Sequence, residues 1–347
     1  PISGLQSELD GIPVRVEPVE NLRSHSRDNA WHASKPEDLA IILLTSGSTG
    51  MPKGVCLSHR NLLGMIKAVI QQFHFTDQDV TLNWMPLDHV GGIAMFHLRP
   101  VYLGSKQVHA PTQRVIQDPL RWLDWIDKYR ATITWAPNFA FGLVNQRAVD
   151  VAKRNWDLSS MEFIVNAGEN VVVATARRFL ELLAPHNLPA SAMRPAFGMS
   201  ETCSGITHCL DFRPETTSDT DRFVSLGIPI PGTSIRIVDD ENQPVAEGVV
   251  GQLQVQGVSL TEGYYQNPEL NAEAFRDGWF QTGDLGKIKD GQLTLTGREK
   301  DVIIINGVNF PCHEIEACVE QLAGDQRACT AACAVRDPGV PTDRLAG

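Results

Sequence analysis

The sequence predicts an α/β fold, with a large lobe of mostly parallel sheets flanked by helices and then a β-rich segment. Three observations carry this. Short apolar runs at 81–85, 132–136 and 162–166 alternate with helix-like stretches such as 172–184. That is the rhythm of βα units whose sheet is covered on its faces. A continuous apolar run at 39–45 (Leu-Ala-Ile-Ile-Leu-Leu-Thr) reads as a strand buried on both faces. From about residue 225 the texture becomes β: 234–239, 250–256 and 292–296 read as strands, with turns at Asp239-Asp240 and Asp290-Gly291.

In chain order, residues 1–36 are polar and contain prolines, with no sustained period. After the run at 39–45 comes a Gly-rich loop. Ser58 then stands where it can N-cap a helix whose apolar positions are Leu62, Leu63, Ile66, Val69 and Ile70. No internal repeat and no low-complexity tract interrupts the pattern.

Composition narrows the classes. Lys plus Arg is 30 and Asp plus Glu is 41, a net charge of −11 in 347 residues, which argues against a broad nucleic-acid surface. No apolar run approaches the roughly 20 residues that span a bilayer, and no signal peptide is visible at the start. The seven cysteines include no CxxC pair. Ordinary reduced thiols in a cytoplasmic protein are expected, without a disulfide frame or zinc site.

The densest motif is Thr45-Ser46-Gly47-Ser48-Thr49-Gly50-Met51-Pro52-Lys53-Gly54. Glycines let backbone N–H groups approach an anion, and the hydroxyls and Lys53 add donors and positive charge. A triphosphate suits such a loop. It is not the common P-loop, since Pro52 precedes and Gly54 follows the lysine. Taken alone it could also be a polar linker.

Further motifs follow in order: Pro86-Leu87-Asp88-His89-Val90-Gly91-Gly92, Ala136-Pro137-Asn138-Phe139-Ala140-Phe141 and Asn166-Ala167-Gly168-Glu169, then Phe197-Gly198-Met199-Ser200-Glu201-Thr202, Gly278-Trp279-Phe280-Gln281-Thr282-Gly283-Asp284-Leu285 and Gly297-Arg298-Glu299-Lys300-Asp301. Singly, each has a plain explanation. His89 would be a hydrogen-bonded structural histidine, the 136–141 stretch a strand end with core aromatics, Glu201 a solvated loop acid and Asp284 a turn former. Together, and collinear from about 40 to 320, they resemble the signatures of the acyl-adenylate-forming (AMP-binding) superfamily. Their wording is nearest the non-amino-acid adenylation domains of hybrid polyketide/nonribosomal peptide synthases, with fatty acyl-AMP ligases close behind and acyl-CoA ligases third.

The resemblance implies an adenylating ligase using ATP and Mg²⁺. Nucleotide contacts fall on Thr45, Ser46, Gly47, Ser48, Thr49, Gly50 and Lys53, on Gly168 and Glu169, on Phe197, Gly198, Met199 and Ser200, and on Asp284 and Arg298. Thr45 and Glu201 would hold the metal. Lys53, Glu201, Arg298 and Lys300 would be catalytic, with Lys300 at a hinge. His89, Val90, Asn138, Phe139, Asn166 and Met199 would line the acid pocket. The implied domains are a large lobe over 1–297 and the start of a small, mobile α+β lobe over 298–347. By the resemblance, most of the family's region before the phosphate loop, and its distal lysine, are expected to fall outside this chain. The implied acceptor is a carrier-protein phosphopantetheine thiol.

Relatives that activate amino acids follow the pocket aromatic with an Asp. Aligned on His89, that position is Val90. An ammonium buried beside valine loses hydration without a counter-charge. An acid without an α-amine is therefore expected: hydroxy, keto, aryl or fatty. If the segment is extended, Asp88 points away from His89. A non-catalytic nucleotide-binding scaffold is the alternative from another class, and intact Glu201, Asp284 and Arg298 argue against it.

Overall fold

The computed structural model describes residues 32–46 and 52–298, with scattered positions on either side, chiefly the strands Val302–Ile305, Val308–Pro311, Cys333–Val335 and Arg344–Ala346. The chain divides into two compact units, Pro1–Lys35 and Pro36–Gly347. Every element below belongs to the second.

Its main sheet has seven strands. They are β3 (Val80–Asn83), β4 (Lys106–His109), β5 (Ile133–Ala136), β6 (Phe163–Asn166), β7 (Met193–Met199), β8 (Ser204–His208) and β9 (Ile228–Pro229), in the order β4-β3-β5-β6-β7-β8-β9. The pairs from β4 through β7 are parallel, and the β7/β8 and β8/β9 pairs are antiparallel. All four residues of β5 and of β6 are buried, which is why these strands read as unbroken apolar runs. Helices α2 (Leu120–Tyr129), α3 (Asn138–Asn145) and α4 (Val173–Leu183) follow in the α/β rhythm. Their aromatic residues interlock: the ring of Trp122 lies 5.8 Å from that of Trp84 and 5.5 Å from that of Phe141, and Phe141 lies 4.9 Å from Phe179. The indole N–H of Trp122 donates to Thr134 at 3.0 Å, so the polar end of this buried ring is satisfied.

The β-rich segment forms an antiparallel sheet of β10 (Thr233–Val238), β11 (Gly251–Gly257), β13 (Phe275–Arg276), β14 (Trp279–Lys289) and β15 (Gln292–Arg298). The turn at Asp290-Gly291 joins β14 to β15 as expected. A third sheet pairs β1 (Leu39–Ser46), β2 (Pro52–Ser58) and β12 (Gly263–Tyr264).

Here one expectation is corrected. The run at 39–45 is not buried on both faces: Leu43 is buried, but Ile42 is 40% and Leu44 is 74% exposed. The strand lies at a sheet edge with β2 as its partner, so apolar composition alone did not report burial. The Gly-rich loop leads into a second strand before any helix, so it closes a β1–β2 hairpin.

Ser58 caps helix α1 (His59–Phe73) as predicted, in a reciprocal capping box with Asn61. Buried Asn61 does more. Its amide donates to the carbonyls of Val258 (3.0 Å) and Leu260 (2.8 Å), which tethers the start of α1 to the segment that feeds β12. Between β3 and β4 the chain forms a π-helix, Gly91–Leu98, which the sequence reading missed. A Cβ on Gly92 would stand 2.2 Å from the Pro86 carbonyl, so this close approach requires glycine.

Among the described cysteines, Cys56, Cys203 and Cys209 are free thiols. No helix among the described residues is long and apolar enough to cross a membrane.

Asn61→Ala removes the side-chain half of the capping box and leaves the Val258 and Leu260 carbonyls without their donor. It is expected to lower unfolding free energy by about 3 kcal/mol in a denaturant titration.

Candidate active site

The three sheets contribute to one cavity of about 950 Å³. Its charged wall is built by pairing distant strands. Thr45 and Lys53 are cross-strand partners at the loop end of the β1–β2 hairpin, and both line the cavity. β12 pairs with β2, setting Tyr264 opposite Val55. The Lys53 ammonium then lies 5.3 Å from the Tyr264 ring centroid, in cation–π range. The Tyr264 hydroxyl donates to a Glu201 carboxylate oxygen at 2.8 Å. Burial, reinforced by the Glu201 charge, pushes the Tyr264 hydroxyl well up, so it stays a donor. The backbone N–H of Thr261 donates to the Glu201 carbonyl at 2.7 Å, a second tie between the same segments.

Asp284 and Arg298 are cross-strand partners on β14 and β15, with Nε 2.9 Å from Oδ1. The Asp284 side chain is 4% exposed and that of Arg298 is 63% exposed. Arg298, Thr282 and Gly283 line the cavity; Asp284 sits behind them, holding the guanidinium.

The other wall is aromatic. His89, Val90, Met95, Phe96 and Trp135 line it. The Trp135 ring stacks with His89 at 5.3 Å and with Phe96 at 5.6 Å, and its N–H donates to Asn83 at 2.8 Å, which locks the indole. The Gly91 N–H donates to His89 Nδ1 at 3.1 Å, and burial holds this imidazole below its usual pKa, against the opposing charge of Asp88. Asp88 lines the same cavity as His89. The expectation that it points away is corrected: residues 87–88 form a turn into the π-helix, so strand alternation does not apply.

Several predicted residues fall elsewhere. Gly168, Gly198, Met199 and Ser200 line the cavity, whereas Phe197 packs in the core. Asn138, Phe139, Asn166 and Glu169 do not line it. Asn138 accepts from Val172 N–H at 3.1 Å and from Asn166, and the Glu169 carboxylate accepts from Phe139 N–H at the first turn of α3. These four brace the loop around Gly168. The side chain of Ser46, residues Gly47, Ser48, Thr49 and Gly50, and Lys300 lie outside the described residues.

Tyr264 and His208 were missed. His208 follows the Phe197–Thr202 motif closely and Tyr264 lies between motifs, and nothing in the sequence aims either at the cavity. His208 is 1% exposed and still borders the cavity. Burial, and then the charge of Arg194, push its pKa down to about 3.

Among the described residues, no three His, Cys, Asp or Glu side chains gather into a metal site. Thr45 and Glu201 do line one cavity. One hydroxyl and one carboxylate form a sparse set of hard oxygen donors, of the kind Mg²⁺ completes with phosphate and water oxygens.

A cation, a carboxylate held by a tyrosine and an aromatic pocket in one cavity describe a site for joining a polyanion to an organic acid. The chain belongs to the AMP-binding enzyme family, which it matches over residues 6–265, and this is a family of adenylating ligases that use ATP. The aspulvinone E synthetase melA of Aspergillus terreus is 36% identical over 345 residues, covering 96% of this chain and 37% of that protein. The nonribosomal peptide synthetase apvA of the same species is 38% identical over 296 residues, covering 83% of this chain and 32% of that protein. The chain thus spans about a third of the length of these relatives. Among solved structures, McyG A-PCP complexed with phenylalanyl-adenylate superposes with TM-score 0.92 at 49% identity, covering 99% of this chain and 54% of that one. The adenylation domain of a keto acid-selecting module bound to keto acyl adenylate gives TM-score 0.84 at 44% identity, covering 96% and 66%.

His208 stays neutral in the fold over a range where the unfolded imidazole protonates. As pH falls below 6.5 the unfolded chain takes up the proton first, so stability drops, by up to about 1.4 kcal/mol per unit, until pH nears 3. Side-chain ¹⁵N NMR at pH 5, assigned with His208→Gln, should show one neutral imidazole.

Proposed function

We propose that this chain is the adenylation domain of a multidomain synthetase and activates a carboxylic acid lacking an α-amine as its acyl-AMP. The observation that carries this reading is the convergence of Lys53, Glu201 and Arg298 with the His89–Trp135–Phe96 wall in one cavity.

In the proposed reaction a substrate carboxylate oxygen bonds to the α-phosphorus of ATP. The bond to the bridging oxygen breaks, and pyrophosphate leaves. The chain's part is positioning and charge neutralisation. Lys53 offsets phosphate charge. Thr45 and Glu201 would hold Mg²⁺, which when bound supplies further neutralisation of the phosphates. Asp284 would act from behind, holding Arg298 toward the ribose hydroxyls or the phosphates. The aromatic wall would receive the acyl group away from water.

A carrier-protein phosphopantetheine thiol is the proposed acceptor in the second half-reaction. The carrier in the McyG A-PCP structure and the synthetase relatives support it. We also propose that 298–347 begins a small mobile lobe hinged at Lys300, whose rotation exchanges the two half-reactions.

Val90 in the pocket wall and the keto acid-selecting neighbour support an acid without an α-amine. Asp88 in the same wall, and the phenylalanyl-adenylate in McyG A-PCP, support a second reading in which an amino acid is activated.

ATP–pyrophosphate exchange in the full-length protein tests both, using each amino acid beside its keto and hydroxy analogues. The expected result is preference for the analogues. Preference for the amino acid favours the second reading and makes Asp88 the first residue to mutate. No exchange with any acid, despite ATP binding, means a nucleotide-binding scaffold. Glu201→Gln should cut exchange by about a hundredfold with the fold intact. Asp284→Ala should raise the apparent KM for ATP by about tenfold. Lys300→Pro fixes φ and should spare acyl-AMP formation more than thioester formation. Equal loss of both would count against the hinge.

A further inference from the structure

His208, at the end of β8, is not needed by the adenylation chemistry, yet it borders the same cavity. β8 packs against both the π-helix that carries Met95 and Phe96 and the turn that carries Glu201. His208 pairs with Ala196, at the end of the β7–β8 hairpin away from that turn and so on the acyl side of the cavity. Its ring lies edge-on to Phe73, with centroids 5.0 Å apart, and 6.0 Å from Phe163. Its Nδ1 is buried and has no hydrogen-bond partner. A Cβ on Gly205 would stand 3.0 Å from Nε2, so any side chain at 205 would crowd that nitrogen. Gly205 lines the cavity too.

A phenylalanine would make the same edge contacts at no polar cost. A neutral imidazole must find a partner for one N–H and one lone pair, and burying it unpartnered is unfavourable. A ligand group that enters beside Gly205 would meet Nε2 and remove that nitrogen's share of the penalty. A hydroxyl is the group that suits, because it can donate to or accept from the ring and so fits either tautomer. The depressed pKa of His208 accords with this, since the ring remains neutral at working pH and attracts no competing anion.

We propose that His208, reached past Gly205, is a specificity-determining residue that selects acids carrying a hydroxyl at the end remote from the carboxylate. This rests on the adenylation reading above. A site built to hydrogen-bond a hydroxyl rejects the analogue that lacks it, because its own polar group is then left unpaired.

The test is ATP–pyrophosphate exchange in the full-length protein with two matched pairs: phenylpropanoate against its para-hydroxy derivative, and hexanoate against its omega-hydroxy derivative. The expected result is a preference of at least about tenfold in kcat/KM for the hydroxy member of at least one pair. In His208→Phe, which keeps the aromatic contacts, that ratio should fall to near one. Gly205→Ala sets a methyl in front of Nε2 and should do the same, an independent route if the first variant does not fold. His208→Gln, which retains an amide donor and acceptor, should restore part of the ratio. A wild-type ratio near one in both pairs overturns the assignment. So does a wild-type preference that persists unchanged in His208→Phe or Gly205→Ala. Absence of exchange with every acid would instead overturn the adenylation reading itself, a distinct outcome.

Discussion

The hydrogen bond from Tyr264 to Glu201 is the contact on which the charged half of the cavity depends. It joins β12 to the short helical turn that follows β7. Because β12 is also the sheet partner of β2, it fixes Glu201 relative to Lys53. One buried phenol therefore sets the spacing between a carboxylate and an ammonium on separate sheets. Fixed charges of this kind need no reorganisation when a polyanion arrives, which is the main advantage of a preorganised site over water. The Asn61 tether works toward the same end from below, since it holds the entry to β12 against the first turn of α1.

The acyl half is organised differently. Its walls are aromatic, and they are held by hydrogen bonds made at the ring edges: Trp135 to Asn83, and His89 to Gly91. Such bonds leave the ring faces free for apolar contact while preventing rotation. The π-helix contributes Met95 and Phe96 from a single widened turn. π-Helical turns recur at functional sites, where the extra residue per turn redirects side chains. Within this apolar wall the polar groups stand out. Asp88 and His208 are the two that bear on which acid fits, one beside the His89 ring and one behind Gly205.

Most of the architecture was legible in the sequence. The β3, β5 and β6 runs read as buried strands because each is covered on both faces in a parallel sheet. Ser58 announced its helix because a cap is a local interaction, complete within four residues. The run at 39–45 misled for the opposite reason: burial of an edge strand is decided by what lies across it. The π-helix and the turn at Asp88 were also invisible, since strand alternation was assumed where close packing of Gly92 on Pro86 imposes something else.

The sequence by itself determined the family, the α/β class and the chemical types at the site: a lysine beside glycines and hydroxyls, a motif glutamate, a motif aspartate and a motif arginine. These are carried by short motifs whose residues act within one turn or one hairpin. The tertiary structure alone decided that Tyr264 clasps Glu201, that Asp88 shares a wall with His89, that Asn138 and Glu169 brace a loop instead of facing the cavity, and that His208 borders the cavity beside Gly205. Each of these depends on which distant strands pair and in what register, and no local pattern of residues specifies that.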